Sequence, residues 1–415
     1  MAAPKLRFKE FDGDWSSIAI GNLLKIKSGL GFKAEEYTTE EAIRLLQIEN
    51  VGYGAVKWTH NVKYVPHDYL SIHSELVLKE DDIVLALNRP VTNDQLKIAK
   101  LTKDDGPSIL YQRVGKLEFT KNEIDHNFIF QIFQKEVKSY VLNSSIGSDQ
   151  PFISTTDLYK HKITLPAQKE QTKIASFLCA VDEKISQLTQ KHELLSQYKQ
   201  GMMQKLFSQQ IRFKADDGSE FGEWEDSKLG ELTILITKGT TPSSLGEKYE
   251  ESGINFIKIE SLSSNGKFLL DKFAYIDENT HNKLARSKLE HDDILFSIAG
   301  ALGRVAIISR DYLPANTNQA LAIIRLKDKK ITRYIYYFLN SDYVKKIIDS
   351  ESVQLAQANF SLGQLANLDV LVPCLEEQTK IANFLSAIDQ KIEVVAQQIE
   401  QAKHWKKGLL QQMFV

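Results

Sequence analysis

The sequence predicts an α+β protein with two similar globular domains, separated by two long helices that form an antiparallel coiled coil. Three observations carry this prediction: a long internal repeat, a heptad pattern in both copies, and strand-like apolar runs elsewhere. At 415 residues a single core is not expected. The predicted parts are a first domain (1–166), a first arm (167–210), a second domain (211–373) and a second arm (374–415).

The repeat is clearest at the start of each arm. The residues EQTKIA at 170–175 return at 377–382, and the match runs without a gap to Phe207 and Phe414. Repeats of solenoid proteins are only about 20–50 residues long. This repeat therefore indicates a duplicated module, with approximate two-fold symmetry inside one chain. Framework positions recur in the domains as well, whereas the stretches between them differ. This pattern is typical of one fold whose two copies recognise different targets.

The arms carry apolar residues at alternating steps of four and three, the seam of a coiled coil. Each arm is about 40 residues long, or roughly 60 Å as a helix. Because the second domain lies between the arms and domain termini are commonly close, the second arm is expected to run back along the first. His192, Lys199 and Lys406 interrupt the seam, and a solvated or register-setting role is favoured for them over catalysis.

Further apolar residues lie off the seam. They predict either a protein interface or a cover for the bases of the domains. They are Phe177, Leu194, Tyr198, Met203, Phe207, Phe384, Trp405, Leu410 and Phe414.

Apolar runs and glycine-rich breaks in each domain predict a twisted sheet with long loops. The predicted strands are Arg44–Val51, Asp82–Leu87, Phe128–Phe133, Ile254–Ile259, Ile294–Ile298 and Ala320–Leu326, and a helix is predicted over Ile331–Ile348.

Several classes of protein are excluded or disfavoured. The chain has no G-x-x-x-x-G-K-[ST] phosphate loop, no Pro-Pro dipeptide of an amino-methyltransferase motif, and no Pro-Asp dipeptide of a nuclease cluster. Two cysteines, Cys179 and Cys374, cannot build a disulfide framework or a zinc site. Asp81-Asp82 and Asp292-Asp293 recur at matching places, but a turn is favoured over a metal pair. We expect no metal and no catalytic residue.

Composition is that of an ordinary globular protein, with 42% hydrophobic residues and a net charge of −2. Without an apolar run of about 18 residues or a signal-peptide pattern, the sequence predicts a cytoplasmic protein with no membrane association. The near-neutral charge means that a DNA-binding role would need local basic loops or a basic partner.

Two variable domains, each followed by a similar helix that begins Leu-Pro-x-x-x-Glu-Gln-x-Lys-Ile-Ala, resemble the specificity subunit of Type I restriction–modification systems. The motif stands at 165–175 and, with Val372 replacing the leucine, at 372–382, and the resemblance covers the whole chain. It implies two target-recognition domains, each reading one half of a bipartite sequence in double-stranded DNA.

The resemblance also implies partners. Two modification subunits would supply methyltransferase chemistry, and restriction subunits would supply ATP-driven translocation and cleavage. This chain would then be a non-catalytic subunit without its own cofactor, and S-adenosylmethionine, ATP and Mg²⁺ would be bound by the partners.

Reading of base sequence needs paired donors and acceptors, such as Arg on guanine or Asn and Gln on adenine, together with phosphate contacts. Polar loops at corresponding positions of the two domains provide such groups. The candidates are Lys33, Asn88, Arg89, Gln112, Arg113, Ser148 and Gln150 in the first domain, and Lys238, Thr240, Thr241, Arg304, Asn316, Asn318, Gln319, Gln354, Gln357 and Asn359 in the second.

Two rival functions stay open at this point. A non-enzymatic scaffold could present two protein-binding domains on a strut, although it would not need its polar loops to differ between copies. A self-contained restriction enzyme would need a methyltransferase or nuclease motif that the chain lacks.

Overall fold

The computed structural model describes residues 4–39, 42–144, 152–352 and 359–414. The chain divides into two compact units. The first unit joins the chain up to Thr189 with the segment from Gln397 onward, and the second unit is the continuous stretch Gln190–Ala396. Each unit therefore contains one globular domain and parts of both long helices.

The first unit contains a mixed five-stranded sheet, a four-stranded sheet and two two-stranded ribbons. In the large sheet the strand order is β2-β12-β7-β10-β4, and in the smaller sheet it is β5-β3-β11-β6. The strands are β1 (Ser16–Ala19), β2 (Leu24–Ser28), β3 (Ile43–Leu46), β4 (Tyr53–Ala55), β5 (Tyr64–Val65), β6 (Val77–Leu78), β7 (Ile83–Ala86), β8 (Val91–Thr92), β9 (Gln95–Leu96), β10 (Ile98–Lys100), β11 (Ser108–Leu110), β12 (Val114–Phe119) and β13 (Lys162–Leu165).

Strand β7 is buried along its whole length, which explains its continuous apolar sequence in place of an alternating one. It pairs antiparallel with both β12 and β10. One ribbon pairs β8 with β9. The other pairs β1 with β13 and so brings the beginning of the domain next to its last strand. This last strand ends three residues before the long helix.

The helices of the first unit are α1 (Tyr69–Ile72), α2 (His126–Ser144), α3 (Thr155–Lys160) and the beginning of α4 (Gln168–Phe207). The prediction of a strand over Phe128–Phe133 was wrong, because this stretch lies inside α2. All six of its residues are buried, so its apolar run carries no helical period. The missed signal was Asp125, whose carboxylate accepts the Phe128 N–H at 3.0 Å and caps the helix.

The second unit repeats this plan with fewer strands. Its four-stranded sheet has the order β15-β21-β18-β19, and its three-stranded sheet has the order β17-β16-β20. The strands are β14 (Glu225–Lys228), β15 (Thr233–Lys238), β16 (Ile254–Ile257), β17 (Ala274–Ile276), β18 (Ile294–Ser297), β19 (Val305–Ile307), β20 (Ala315–Thr317), β21 (Leu321–Leu326) and β22 (Asp369–Val372).

The helices of the second unit are α5 (Glu278–Lys283), α6 (Thr332–Leu339), α7 (Asp342–Ser352), α8 (Leu362–Ala366) and the beginning of α9 (Leu375–Met413). The single helix predicted over Ile331–Ile348 is two helices. Ser341 lies between them, donating its N–H to the Phe338 carbonyl at 2.9 Å, while its hydroxyl accepts the Val344 N–H at 3.5 Å. A serine at this position ends one helix and caps the next.

The two long helices each contribute to both units. In the first unit, Ile174 and Leu178 near the start of α4 join the same core as Leu409 and Met413 near the end of α9. In the second unit, Ile381 and Leu385 of α9 share a core with Met203 and Leu206 of α4. Within each unit the start of one helix therefore packs beside the end of the other.

Each unit also holds a lysine of the seam in an ion pair with an aspartate of the other helix. In the first unit Lys406 contacts Asp182 at 2.7 Å, and in the second unit Lys199 contacts Asp389 at 2.6 Å. The pairs are equivalent by the 207-residue repeat. Each aspartate also accepts a hydrogen bond from its domain, from Gln131 at 2.7 Å or from the Tyr337 hydroxyl at 2.8 Å.

The off-seam apolar residues divide into a buried group and an exposed group. Most cover the base of a domain: Met203 and Phe414 are buried, and Phe177, Phe207, Phe384 and Leu410 are partly buried against the cores. Leu194, Tyr198 and Trp405 are more than half exposed. Across the part of the chain that the structure describes, no helix is both long and apolar enough to span a membrane.

The repeated EQTKIA motif has a structural role in both copies. Its glutamates, Glu170 and Glu377, are buried and accept paired hydrogen bonds from Arg7 and Arg212 respectively. The glutamine after each glutamate donates to a proline carbonyl five residues earlier, at 2.9 Å in the first copy and 2.7 Å in the second. The motif thus attaches the start of each long helix to its domain.

We expect replacement of Glu377 by alanine to destabilise the second unit by about 3–5 kcal/mol, because it leaves the Arg212 charge without its buried partner. The same carboxylate accepts the Trp224 indole N–H at 3.0 Å. In the first copy the corresponding indole, Trp15, is among the buried groups of the described residues that have no hydrogen-bond partner. Glu170→Ala should therefore cost less than Glu377→Ala.

Denaturant unfolding of the purified variants measures this difference. The control is Glu376→Ala, which removes the neighbouring, half-exposed carboxylate of a 3.7 Å pair with Lys380 and should cost well under about 1 kcal/mol. Equal losses for Glu376→Ala and Glu377→Ala would contradict the anchoring role.

Candidate nucleic-acid interface

In the first unit, three of the predicted polar loops meet at one edge of the five-stranded sheet. The register places the end of β2 opposite the start of β12, since Ser28 pairs with Gly115. It likewise places the end of β7 opposite the start of β12, since Ala86 pairs with Val114. The loops after β2, after β7 and before β12 consequently leave the sheet on the same side.

Backbone hydrogen bonds hold these loops against one another. Gln112 N–H donates to the Leu30 carbonyl at 2.9 Å, and Leu87 N–H donates to the Arg113 carbonyl at 2.9 Å. Gly29 leaves no room for a side chain, because an added Cβ would lie 2.4 Å from the carbonyl oxygens of Leu110 and Tyr111. The loops therefore form a fixed edge.

Aromatic side chains support the edge from below. The hydroxyl of Tyr37 donates to the Phe32 carbonyl at 3.0 Å and lies 3.0 Å from the hydroxyl of Tyr111. Burial, together with the contact to Tyr111, raises the pKa of Tyr37 to about 12. The neutral phenol donates a hydrogen bond that fixes the loop after β2.

The edge of the first unit presents two arginines to solvent. Arg89 (φ 46°) and Arg113 (φ 66°) both have left-handed backbone conformations and exposed side chains. Non-glycine residues in this region are uncommon, and such strain is concentrated at functional sites. Neither guanidinium takes part in an ion pair within the described residues. Lys33 and Gln112 are also exposed, and Asn88 is half-buried.

The second unit repeats this edge with different residues. The end of β15 lies opposite the start of β21, where Lys238 pairs with Ala322, and the end of β18 lies opposite the same strand, where Ser297 pairs with Leu321. A backbone bridge between Ala299 and Asn359 adds the segment before α8. Three of the loops predicted in the second domain, together with Asn359 from the fourth, thus lie on one side of the sheet.

The contacts among these loops are equally close. Thr240 N–H donates to the Thr317 carbonyl at 3.1 Å, and the Thr241 hydroxyl bonds to the Gln319 side chain. Gly239 is required here, because an added Cβ would lie 2.0 Å from the Thr317 carbonyl oxygen. The loop after β15 is therefore closely packed on the loop before β21.

The candidate side chains of the second unit differ in accessibility. Lys238, Gln319 and Asn359 are exposed, while Thr240, Thr241 and Asn318 are half-buried. Arg304 is half-buried and donates to the carbonyls of Ile259 and Leu262. Asn316 is fully buried, and its amide donates to the Leu284 carbonyl at 3.1 Å. The last two side chains support the loops from within the domain.

Four candidates lie outside the described residues: Ser148, Gln150, Gln354 and Gln357.

The aspartate pairs adopt turns in both units. Asp81 (φ 69°) and Asp292 (φ 70°) are left-handed, and the following aspartates bind cations of the neighbouring strand. Asp82 contacts Lys116 at 2.7 Å, and Asp293 contacts Arg325 at 2.8 Å. Within the described ranges, no group of three or more histidine, cysteine, aspartate or glutamate side chains could hold a metal ion.

One exposed cation at the second edge, Arg286, is not among the residues predicted from the sequence. Arg286 lies in the 3-10 turn Ala285–Ser287 that follows α5, and its guanidinium donates to the Thr240 hydroxyl at 3.0 Å. The internal repeat carries a signal for this position. The aspartate pair six residues later, Asp292-Asp293, matches Asp81-Asp82 at an offset of 211 residues, and the same offset aligns Arg286 with Glu75. Glu75 lies in the matching 3-10 turn, Ser74–Leu76.

The family of the chain follows from comparison with known proteins. The model of the Type I restriction modification DNA specificity domain matches twice, over residues 12–197 and 222–404. The chain therefore belongs to this family.

Individual relatives agree with the family. The chain is 38% identical over 211 residues to the Type I restriction enzyme MjaVIII specificity subunit of Methanocaldococcus jannaschii, a match that covers 51% of this chain and about half (49%) of that protein. It is 25% identical over 420 residues to the putative MjaX specificity subunit of the same organism, covering 98% of this chain and 94% of that protein.

Solved structures show the same fold at low identity. The S subunit of a Type-I restriction-modification system from M. genitalium is 18% identical, with a TM-score of 0.60 and coverage of 100% of this chain and 99% of that one. A chain from a study of complex assembly and conformational transition of the type I R-M system is 17% identical, with a TM-score of 0.56 and coverage of 98% of both chains.

Proposed function

We propose that this protein is the sequence-reading subunit of a Type I restriction–modification complex and that each domain recognises one half of a bipartite DNA site. The observation that carries the proposal is the repeated sheet edge. Both units gather polar loops at the same side of the large sheet, on the same framework, yet with different side chains. Two half-sites of different sequence require this combination of a shared scaffold and divergent loops.

The chemistry of the edges suits double-stranded DNA. Arg89 and Arg113 are exposed and have no carboxylate partner in the described structure, so their charges are available to phosphates or to guanine. Asn359 and Gln319 provide the amide groups that pair with adenine. A surface for binding other proteins would not require the same loop positions to vary between the copies.

The long helices are the second part of the proposal. We propose that α4 and α9 form an antiparallel coiled coil that separates the two target-recognition domains. The packing of each helix start beside the other helix end, found in each unit, supports this arrangement. The equivalent pairs Asp182–Lys406 and Asp389–Lys199 support it as well, since polar pairs in a seam are best known for setting register.

Catalysis is assigned to partners. We propose that two modification subunits methylate DNA with S-adenosylmethionine and that restriction subunits cleave it with ATP and Mg²⁺, in the cytoplasm where the chromosome is accessible. This chain contributes no catalytic group in the proposal. The half-exposed apolar side chains of the helices, Leu194, Tyr198 and Trp405, are suited to contact such subunits.

The test is a methylation assay with purified components. We expect the isolated chain to methylate no DNA and the modification subunits to lack sequence preference without it, whereas the combination should methylate one bipartite motif. Methyl transfer by the isolated chain would overturn the assignment. A chain that binds the modification subunits but leaves the methylated sequences unchanged would point to a protein scaffold.

A further inference from the structure

Arg286 is an exposed cation at the edge of the second sheet. It is exposed, and its guanidinium forms a single hydrogen bond, to Thr240 at the edge of the sheet. It has no carboxylate partner within the described ranges. One hydrogen bond leaves most of the five donors of the guanidinium free while orienting its plane.

The backbone that carries Arg286 is rigid. Ser287 is completely buried, and its hydroxyl donates to the Leu284 carbonyl at 3.1 Å. The same carbonyl accepts the amide of the buried Asn316, whose oxygen lies against His281. The turn is thus held on β20, and the arginine projects from a fixed base, which is the condition for precise hydrogen bonding to a ligand.

The first domain has the opposite charge at the equivalent position. Glu75 occupies the same place in its 3-10 turn and is exposed, with no ion pair in the described part of the chain. This turn too is packed against the loop after the first strand of the sheet, since the rings of His73 and Phe32 lie 5.2 Å apart. The framework is kept in both copies, and the charge that it presents is reversed.

We infer that the 3-10 turn at Ala285–Ser287 is a reading element of the second domain and that Arg286 recognises a guanine in the half-site of that domain. The inference rests on the proposed function. A residue that only neutralised phosphate would be equally useful in both copies, because the backbone charge of DNA does not change with sequence. A reversal from Arg286 to Glu75 instead suits the reading of different bases, since arginine pairs with guanine and glutamate accepts from cytosine.

The experiment uses the full chain with its modification subunits and a DNA library in which the second half-site is randomised. Sequencing of the methylated products gives the base preference at every position. With Arg286→Ala we expect the preference for guanine at one position to fall by about five- to hundredfold, while the first half-site stays unchanged.

A second variant gives a directional result. Arg286→Gln keeps a donor for Thr240 and offers the paired groups that match adenine, so the preferred base at that position should change from guanine to adenine. The matched control is Lys283→Ala, which removes a cation of the same segment that is held by Glu247 at 2.5 Å. The complex with Lys283→Ala should methylate the same DNA motif as the complex with the unmodified chain.

The outcomes separate the inference from the proposed function. If the unmodified complex yields no bipartite motif, the proposed function fails. If it yields one and Arg286→Gln methylates the same sequences with the same preferences, the inference alone is wrong. If Arg286→Ala lowers the methylation rate equally for all sequences, Arg286 contacts phosphate, and this result would also overturn the inference.

Discussion

Exchange of residues 1–166 for the corresponding domain of a relative should replace one half of the methylated motif and leave the other half intact. The reason is that all loops of the first sheet edge lie within this segment, and none of the candidate residues of the second edge does. Each mismatched base pair in a site costs about 1–3 kcal/mol, so three or more changed positions should abolish methylation of the original half-site.

The structure shows where such an exchange must be joined. Strand β13 ends at Leu165 and α4 begins at Gln168, so a junction at Pro166 leaves the long helix intact. The incoming domain must still accept the side chains of Ile174 and Met413, which lie in the core of the first unit. The reciprocal exchange of residues 211–373 is the matched control and should change the other half-site. A change in both halves from either exchange would refute independent reading.

Matched insertion of one heptad into both long helices should lengthen the spacer between the half-sites by about three base pairs. Seven residues add roughly 10 Å of helix, and a base pair rises about 3.4 Å. The insertions are best placed after Thr189 and after Ala396, where the chain passes from one unit to the other. Both half-sites should stay unchanged, because neither edge is altered.

The helical twist of DNA adds a second expected result, which concerns the rate of methylation. Three base pairs rotate the second half-site by roughly a third of a turn, so methylation should be slower than in the unmodified complex. Three matched heptads add about 32 Å, close to one turn of the duplex, and should restore the rate with a spacer about nine or ten base pairs longer. An insertion into α4 alone should disturb the pairing of the helices. Normal assembly of the matched variants with an unchanged spacer would show that another element sets the distance.

Much of the fold was predictable because the repeat and the heptads are strong signals. The long helices, predicted from seams beginning at Ile174 and Ile381, cover Gln168–Phe207 and Leu375–Met413. The error at Phe128–Phe133 has a different cause: a helix segment that is buried all round leaves no period in the sequence. The break at Ser341 depends on a local cap, which an apolar pattern spanning the whole segment does not reveal.

The candidate site was predictable as a set of loops but not as a set of side chains. Glycines and polar residues correctly marked the segments that leave the sheet edge. They did not show that Asn316 would be drawn into the interior by its bond to Leu284, or that Arg304 would bond to backbone carbonyls. Arg286 was not predicted because its turn is distant in sequence from the other loops of the edge. Packing of this turn on β20 brings the side chain to the edge.

The division of the long helices between the units has a consequence for the order in which the protein can fold during synthesis. Every residue of the second unit lies between Gln190 and Ala396, whereas the first unit needs Leu409, Met413 and Phe414 to complete its core. Because synthesis proceeds from the amino terminus, the domain that is translated first cannot complete its core until the last residues of the chain have been made. The domain that is translated second can complete its core earlier. The nascent first domain is therefore the part of the chain that spends longest with apolar surface exposed.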